Sequence, residues 1–101
     1  MSNKLFINYM RNLVNLFFKI LPMWEDQTPS LNQYMIELRD ELLGNEEFLE
    51  RVSADSRVLA LAGSLQFLID NPDTEIEDVR RKVFRSIRLC NKIRECYMEV
   101  V

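Results

Sequence analysis

The residues best suited to chemistry with a partner are cations. Residues 80–94 hold seven bases and no acid: Arg80, Arg81, Lys82, Arg85, Arg88, Lys92 and Arg94. Four of them, Arg81, Arg85, Arg88 and Lys92, fall at i, i+4, i+7 and i+11. On a helix that spacing makes one line of positive charge about three turns long. A guanidinium group can fork two N–H donors onto a phosphate or a carboxylate. The stripe is therefore suited to an acidic protein, to a nucleic-acid backbone or to a nucleotide or other phosphorylated ligand. The plain alternative is the solvated face of an amphipathic helix. Aromatic residues do not alternate with these bases along the chain, which counts against single-strand binding.

A second candidate surface is acidic. Residues 25–55 carry nine acids and two bases. Within them Glu37, Asp40, Glu41, Glu46, Glu47 and Glu50 could meet a basic partner, or imitate the phosphates of a nucleic acid. They could equally be a soluble outer face, and Glu46 and Glu47 suit the first turn of a helix in any case.

Catalysis finds no support in these residues. Histidine is absent, which removes the commonest general base and metal ligand. No phosphate-cradling glycine loop and no nucleophile elbow occurs. The serines and cysteines have no histidine to activate them. Neighbouring carboxylates such as Asp40 and Glu41 diverge on a helix. The expectation is a protein that is not an enzyme, with no metal and no cofactor. Cys90 and Cys96 lie six residues apart, about 240° around a helix, so they cannot bridge within it. They read as free thiols in a reducing compartment, and no signal for export is visible, which together suggest the cytoplasm.

Helices must position all of this. The chain has 101 residues, 48% of them hydrophobic and 29% charged, with two glycines, three prolines and a net charge of −3. That composition suits one helical domain spanning residues 1–101 and disfavours turn-rich β folds. The first helix is expected over residues 3–21. Its polar residues Asn8, Arg11, Asn12, Asn15 and Lys19 form one narrow face, with Phe6, Phe17 and Phe18 assigned to the core and Pro22 as the stop. That apolar arc is broader than a peripheral membrane helix needs, so a membrane partner is not expected.

Residues 22–29 read as a loop with Trp24 folded back on the core. Thr28-Pro29, or a capping box of Ser30 and Gln33, opens a second helix running to about Leu43, with Leu31, Tyr34, Met35, Leu38 and Leu42 inward and Gly44 as the residue after its end. A short helix is expected over 46–52, then one from about Ala54, capped by Ser53, to Ile69. In that helix Ala60, Ala62, Gly63 and Ser64 suggest a close crossing, and Asn71-Pro72 ends it. Thr74 and Glu77 form a further capping box for the last helix, about Glu75 to Glu99. Its apolar line is Ile76, Val79, Val83, Ile87, Cys90, Ile93 and Tyr97, a near-heptad rhythm that suits a bundle or a homodimer.

The fold class is thus all-α, a compact bundle of four main helices and one short helix around the first and last. The function is that of a non-catalytic interaction module. A protein partner bound through segregated charge is the leading reading, and a nucleic acid or phosphate ligand on the same stripe is the alternative.

The run from Asn8 through Arg11, Asn15 and Lys19 to Pro22 resembles small proteins carried by prophages and other mobile elements of Gram-positive bacteria. So do Glu41-Leu42-Leu43-Gly44 and the stretch from Phe84-Arg85-Ser86-Ile87 to Cys90-Asn91-Lys92. The resemblance implies a setting and carries no activity or ligand residue with it. By analogy with that setting, the protein would be an accessory inhibitor or regulator of a host or defence component, of the anti-CRISPR type.

Overall fold

The computed structural model describes residues 3–44 and 56–98. They form helices α1 (Asn3–Phe18), α2 (Ile20–Glu25), α3 (Leu31–Gly44), α4 (Ser56–Asp70) and α5 (Ile76–Met98). Because α1 and α2 are one bent helix, the architecture is a four-helix bundle, with no strand among the described residues. The expected short helix over 46–52, and Ser53 and Ala54 at the start of the next, lie outside the described residues.

The period of the sequence explains α1. Asn8, Arg11, Asn12, Asn15 and Lys19 are all exposed, and Phe6, Met10, Leu13 and Phe17 are buried on the opposite line. Phe18 departs from the expectation: it is half exposed. It follows Arg11 by seven residues, which sets it about 20° away at the border of the polar face.

Pro22 does not end the helix. The chain bends at Lys19 and resumes as α2, with Trp24 inside the helix and half-buried against the core. Proline lacks the N–H that would bond to the Phe18 carbonyl one turn back, and its ring crowds that carbonyl. Because Pro22 stands in the first turn of α2, the one bond lost falls at the bend itself. The ladder closes on either side, Lys19 N–H donating to the Asn15 carbonyl at 3.1 Å and Met23 N–H to that of Lys19 at 3.4 Å. The bend keeps Ile20 and Leu21 buried.

The end of α2 is a Schellman closure. Thr28 N–H donates to the Met23 carbonyl at 3.0 Å and Gln27 N–H to that of Trp24 at 3.2 Å. Gln27 occupies the left-handed position, φ 51°, where glycine is the usual residue. Ser30 then leads into α3, but Gln33 turns its amide forward, Nε2 donating to Glu37 at 3.2 Å. Met35, Leu38 and Leu42 face inward as expected, with Leu31 and Tyr34 at the margin. Gly44 is the last residue of α3 and lacks a positive φ, so the expected turn beyond the helix does not form at it.

In α4 the stripe of small residues does not mark a close crossing. Gly63 is exposed, and a Cβ placed there would meet nothing within 4 Å. Ala62 faces the core, and Val58, Leu61, Leu65 and Leu68 complete the buried side. The helix ends at Asp70, before Asn71-Pro72. Asn71 then closes the end, Nδ2 donating to the Phe67 carbonyl at 2.8 Å. The expected box of Thr74 and Glu77 is replaced: the Thr74 hydroxyl donates backward to the Asn71 carbonyl at 2.6 Å. The carbonyl of Glu75 opens α5 by accepting from Asp78 and Val79 N–H at 2.9 and 3.0 Å.

The buried line of α5 runs through Val79, Val83, Ser86, Cys90 and Ile93, with Ile87 at the edge. This line packs within the bundle, most extensively against α1. Polar ties join the elements: the Tyr34 hydroxyl donates to the Leu16 carbonyl at 2.7 Å, and Arg39 Nη1 donates to Gln66 Oε1 at 2.7 Å.

Candidate functional site

The outer side of α5 is set by its inner side. Once Val79, Val83, Ser86, Cys90 and Ile93 face the core, a period of 3.6 leaves Arg81, Arg85, Arg88 and Lys92 pointing away from it. All four are exposed. Together they span about 16 Å of helix at 1.5 Å per residue.

Their neutralisation is partial. Arg81 pairs with Asp78 at 3.2 Å at the first turn of the helix. Among the described residues no acid pairs with Arg85, Arg88 or Lys92. Among the described residues, the acidic middle of the chain meets α5 where Glu25 pairs with Arg80 at 2.8 Å, and Arg80 also lies 3.6 Å from Glu77. Both partners of the Glu25–Arg80 pair are about half exposed, so it contributes at most about 1 kcal/mol.

Half of the acidic candidate surface falls within the described residues. Glu37, Asp40 and Glu41 are exposed on α3, where Glu37 accepts from Gln33 and Asp40 pairs with Arg39 at 2.9 Å. Glu46, Glu47 and Glu50 lie outside the described residues. Because α3 packs mainly on α4, Glu37, Asp40 and Glu41 do not lie along the basic stripe.

Two aromatic flanks were not foreseen. On the α1 side of the stripe, Phe84 is 44% exposed and meets Phe18, 50% exposed, edge to face with centroids 5.8 Å apart. On the α4 side, Phe67 is 41% exposed, and Lys82 Nζ sits 4.0 Å from its ring centroid. A shallow hollow of about 570 Å³ lies beside Phe84 and Ile87, bounded by Arg80, Arg81 and Arg88. A smaller one of about 270 Å³ joins Phe67 to Arg81, Lys82 and Arg85. The bases and rings do not alternate in sequence because two of the rings come from other helices. The wheel positions of Phe18 beside Arg11 and of Phe84 one turn before Arg88 were the available signals.

Elsewhere, an open cleft of about 740 Å³ lies where the loops at 26–30 and 71–75 meet, floored by Met35 and Leu68 with Trp24 on its wall. Its rim acids Asp73 and Glu75 sit at the start of α5, where negative charge suits the helix dipole. No group of three described residues could hold a metal ion. Cys90 is buried, its thiol pushed up to about 12 by desolvation, whereas Cys96 is exposed. No helix of the described residues is long and apolar enough to cross a membrane. Set against known proteins, the chain matches no family model, no curated protein and no solved structure.

Proposed function

We propose that this protein is a non-catalytic interaction module that docks the outer face of α5 on an anionic partner. The observation that carries the reading is the run of Arg85, Arg88 and Lys92, exposed and without an acid among the described residues to neutralise them. The helix backbone already holds these cations in register, so binding has to order their side chains but not the chain that carries them. The resemblance to proteins of mobile elements adds the setting: an accessory inhibitor or regulator, cytoplasmic, of the anti-defence or anti-CRISPR type. An acidic protein surface is the first partner that segregated charge suggests. A phosphate-bearing partner is the second reading, favoured by the exposed rings beside the arginines. Self-association as a homodimer would need a face other than the buried line of α5.

The test is retention on a polyanion. The protein, despite its net charge of −3, is applied to immobilised heparin at low salt beside a variant with Arg81, Arg85, Arg88 and Lys92 changed to Gln. The expected result is retention of the parent, flow-through of the variant and the same far-ultraviolet circular dichroism for both. Flow-through of the parent, or equal retention of the two, overturns the reading.

A further inference from the structure

Charge alone does not separate an acidic protein from a nucleic acid, but the neighbours of the charges do. Resting on the reading of the α5 face just given, we infer that its anionic partner is a single-stranded nucleic acid. Its phosphates lie along Arg81, Arg85, Arg88 and Lys92, and a base stacks on the exposed Phe84–Phe18 pair.

Three observations favour this occupant. The first is the juxtaposition of a cationic line with exposed rings, the combination that tracks a backbone and receives unpaired bases. Phe84 and Phe18 supply the open platform, and Phe67 with Lys82 forms the opposite flank. The second is the make-up of the hollow beside Phe84, where Glu77, Arg80, Arg81 and Arg88 surround the ring. An apolar anchor from a protein would strip water from these charges, a costly exchange. A base offers a flat π face with polar edges that keep hydrogen-bonding groups near them. The third is the seating of α5 between α1 and α4. A helix with its side chains is about 10–12 Å across and fills a major groove about 12 Å wide. With Phe18 of α1 and Phe67 of α4 flanking it, the exposed face is wider than a lone helix and fits such a groove poorly, so it suits a strand whose bases are free.

The test uses fluorescence anisotropy with a labelled thymidine oligomer of about a dozen nucleotides, a length within the usual range for a single-strand site. The comparisons are an abasic oligomer of equal length and polyglutamate. The expected result is binding whose logarithm falls with log salt at a slope of about −3, from about four phosphate contacts. The abasic oligomer should bind about tenfold more weakly or worse. Phe84→Leu, which retains an apolar side chain at a half-exposed position, should lose a similar factor on the thymidine oligomer and nothing on the abasic one.

If polyglutamate binds as well as the thymidine oligomer and Phe84→Leu changes neither, the single-strand inference falls and the acidic-protein reading of the same face stands. If equal binding extends to a DNA duplex, the single-strand inference falls as well. If none of the polyanions binds at low salt, the α5-face reading falls with it.

Discussion

Ser86 is the buried polar residue in the core line of α5, 1% exposed between Val83 and Cys90. Its hydroxyl oxygen is buried and without a hydrogen-bond partner. Leaving such a group unsatisfied costs about 1–3 kcal/mol. Ser86→Ala removes that cost and gains up to about 0.7 kcal/mol of helix propensity. Against this stands the space left by one oxygen, a void of about methyl size costing about 1 kcal/mol. The balance is a stabilisation of about 1 kcal/mol, which for a domain of this size raises Tm by about 4–8 °C. Urea unfolding followed by circular dichroism should show a higher midpoint at an unchanged slope, since the exposed surface on unfolding barely alters. A fall in Tm would refute the reasoning. It would mean that the hydroxyl is bonded in solution, the carbonyl of Lys82 one turn back being the nearest helical candidate.

Tyr34→Phe deletes the hydroxyl that donates to the Leu16 carbonyl across α3 and α1. It should cost about 1–2 kcal/mol in a denaturant titration, and no change would mean that water replaces the bond. Gln27→Gly relieves the left-handed backbone at the end of α2 and should stabilise by about 1 kcal/mol in thermal unfolding; a loss would show that the strain is not there to relieve. A thiol reagent at neutral pH should modify Cys96 in the native protein and reach Cys90 only in denaturant, and rapid labelling of both would contradict the packing. Burial raises the Cys90 thiol from 9.0 to about 12 and raises the Tyr34 hydroxyl as well. The native state therefore holds these protons more tightly than the unfolded one. Their contribution is complete below about pH 9 and is lost as pH climbs through the folded values. Urea midpoints should accordingly fall from pH 9 upward, and Cys90→Ala should flatten that fall.

Helix existence, type and inward faces were readable because periodicity is local. The polar line of α1, the stripe of α3 and the cations of α5 repeat every three or four residues, and burial follows the same repeat. Helix ends were read less well. Pro22 was a kink, since the apolar residues beyond it had a core to reach, and Thr74 and Gln33 made other bonds than the expected boxes. A capping side chain chooses among several acceptors within reach, and only the path of the chain decides which is near. The small residues around Gly63 misled because small size permits close approach without requiring it.

From the sequence alone came the segregation of charge and the register of Arg81, Arg85, Arg88 and Lys92, properties of a single helix. The tertiary structure decided what stands beside them. Phe18 reaches α5 because α1 packs along it, and Phe67 because the turn at Asn71-Pro72 folds α4 back on α5. Among the described residues the tertiary structure also leaves Arg85, Arg88 and Lys92 without an acid, while Glu25 meets α5 at Arg80. Residues far apart in the chain become neighbours through packing of whole faces, and no local spacing encodes that register.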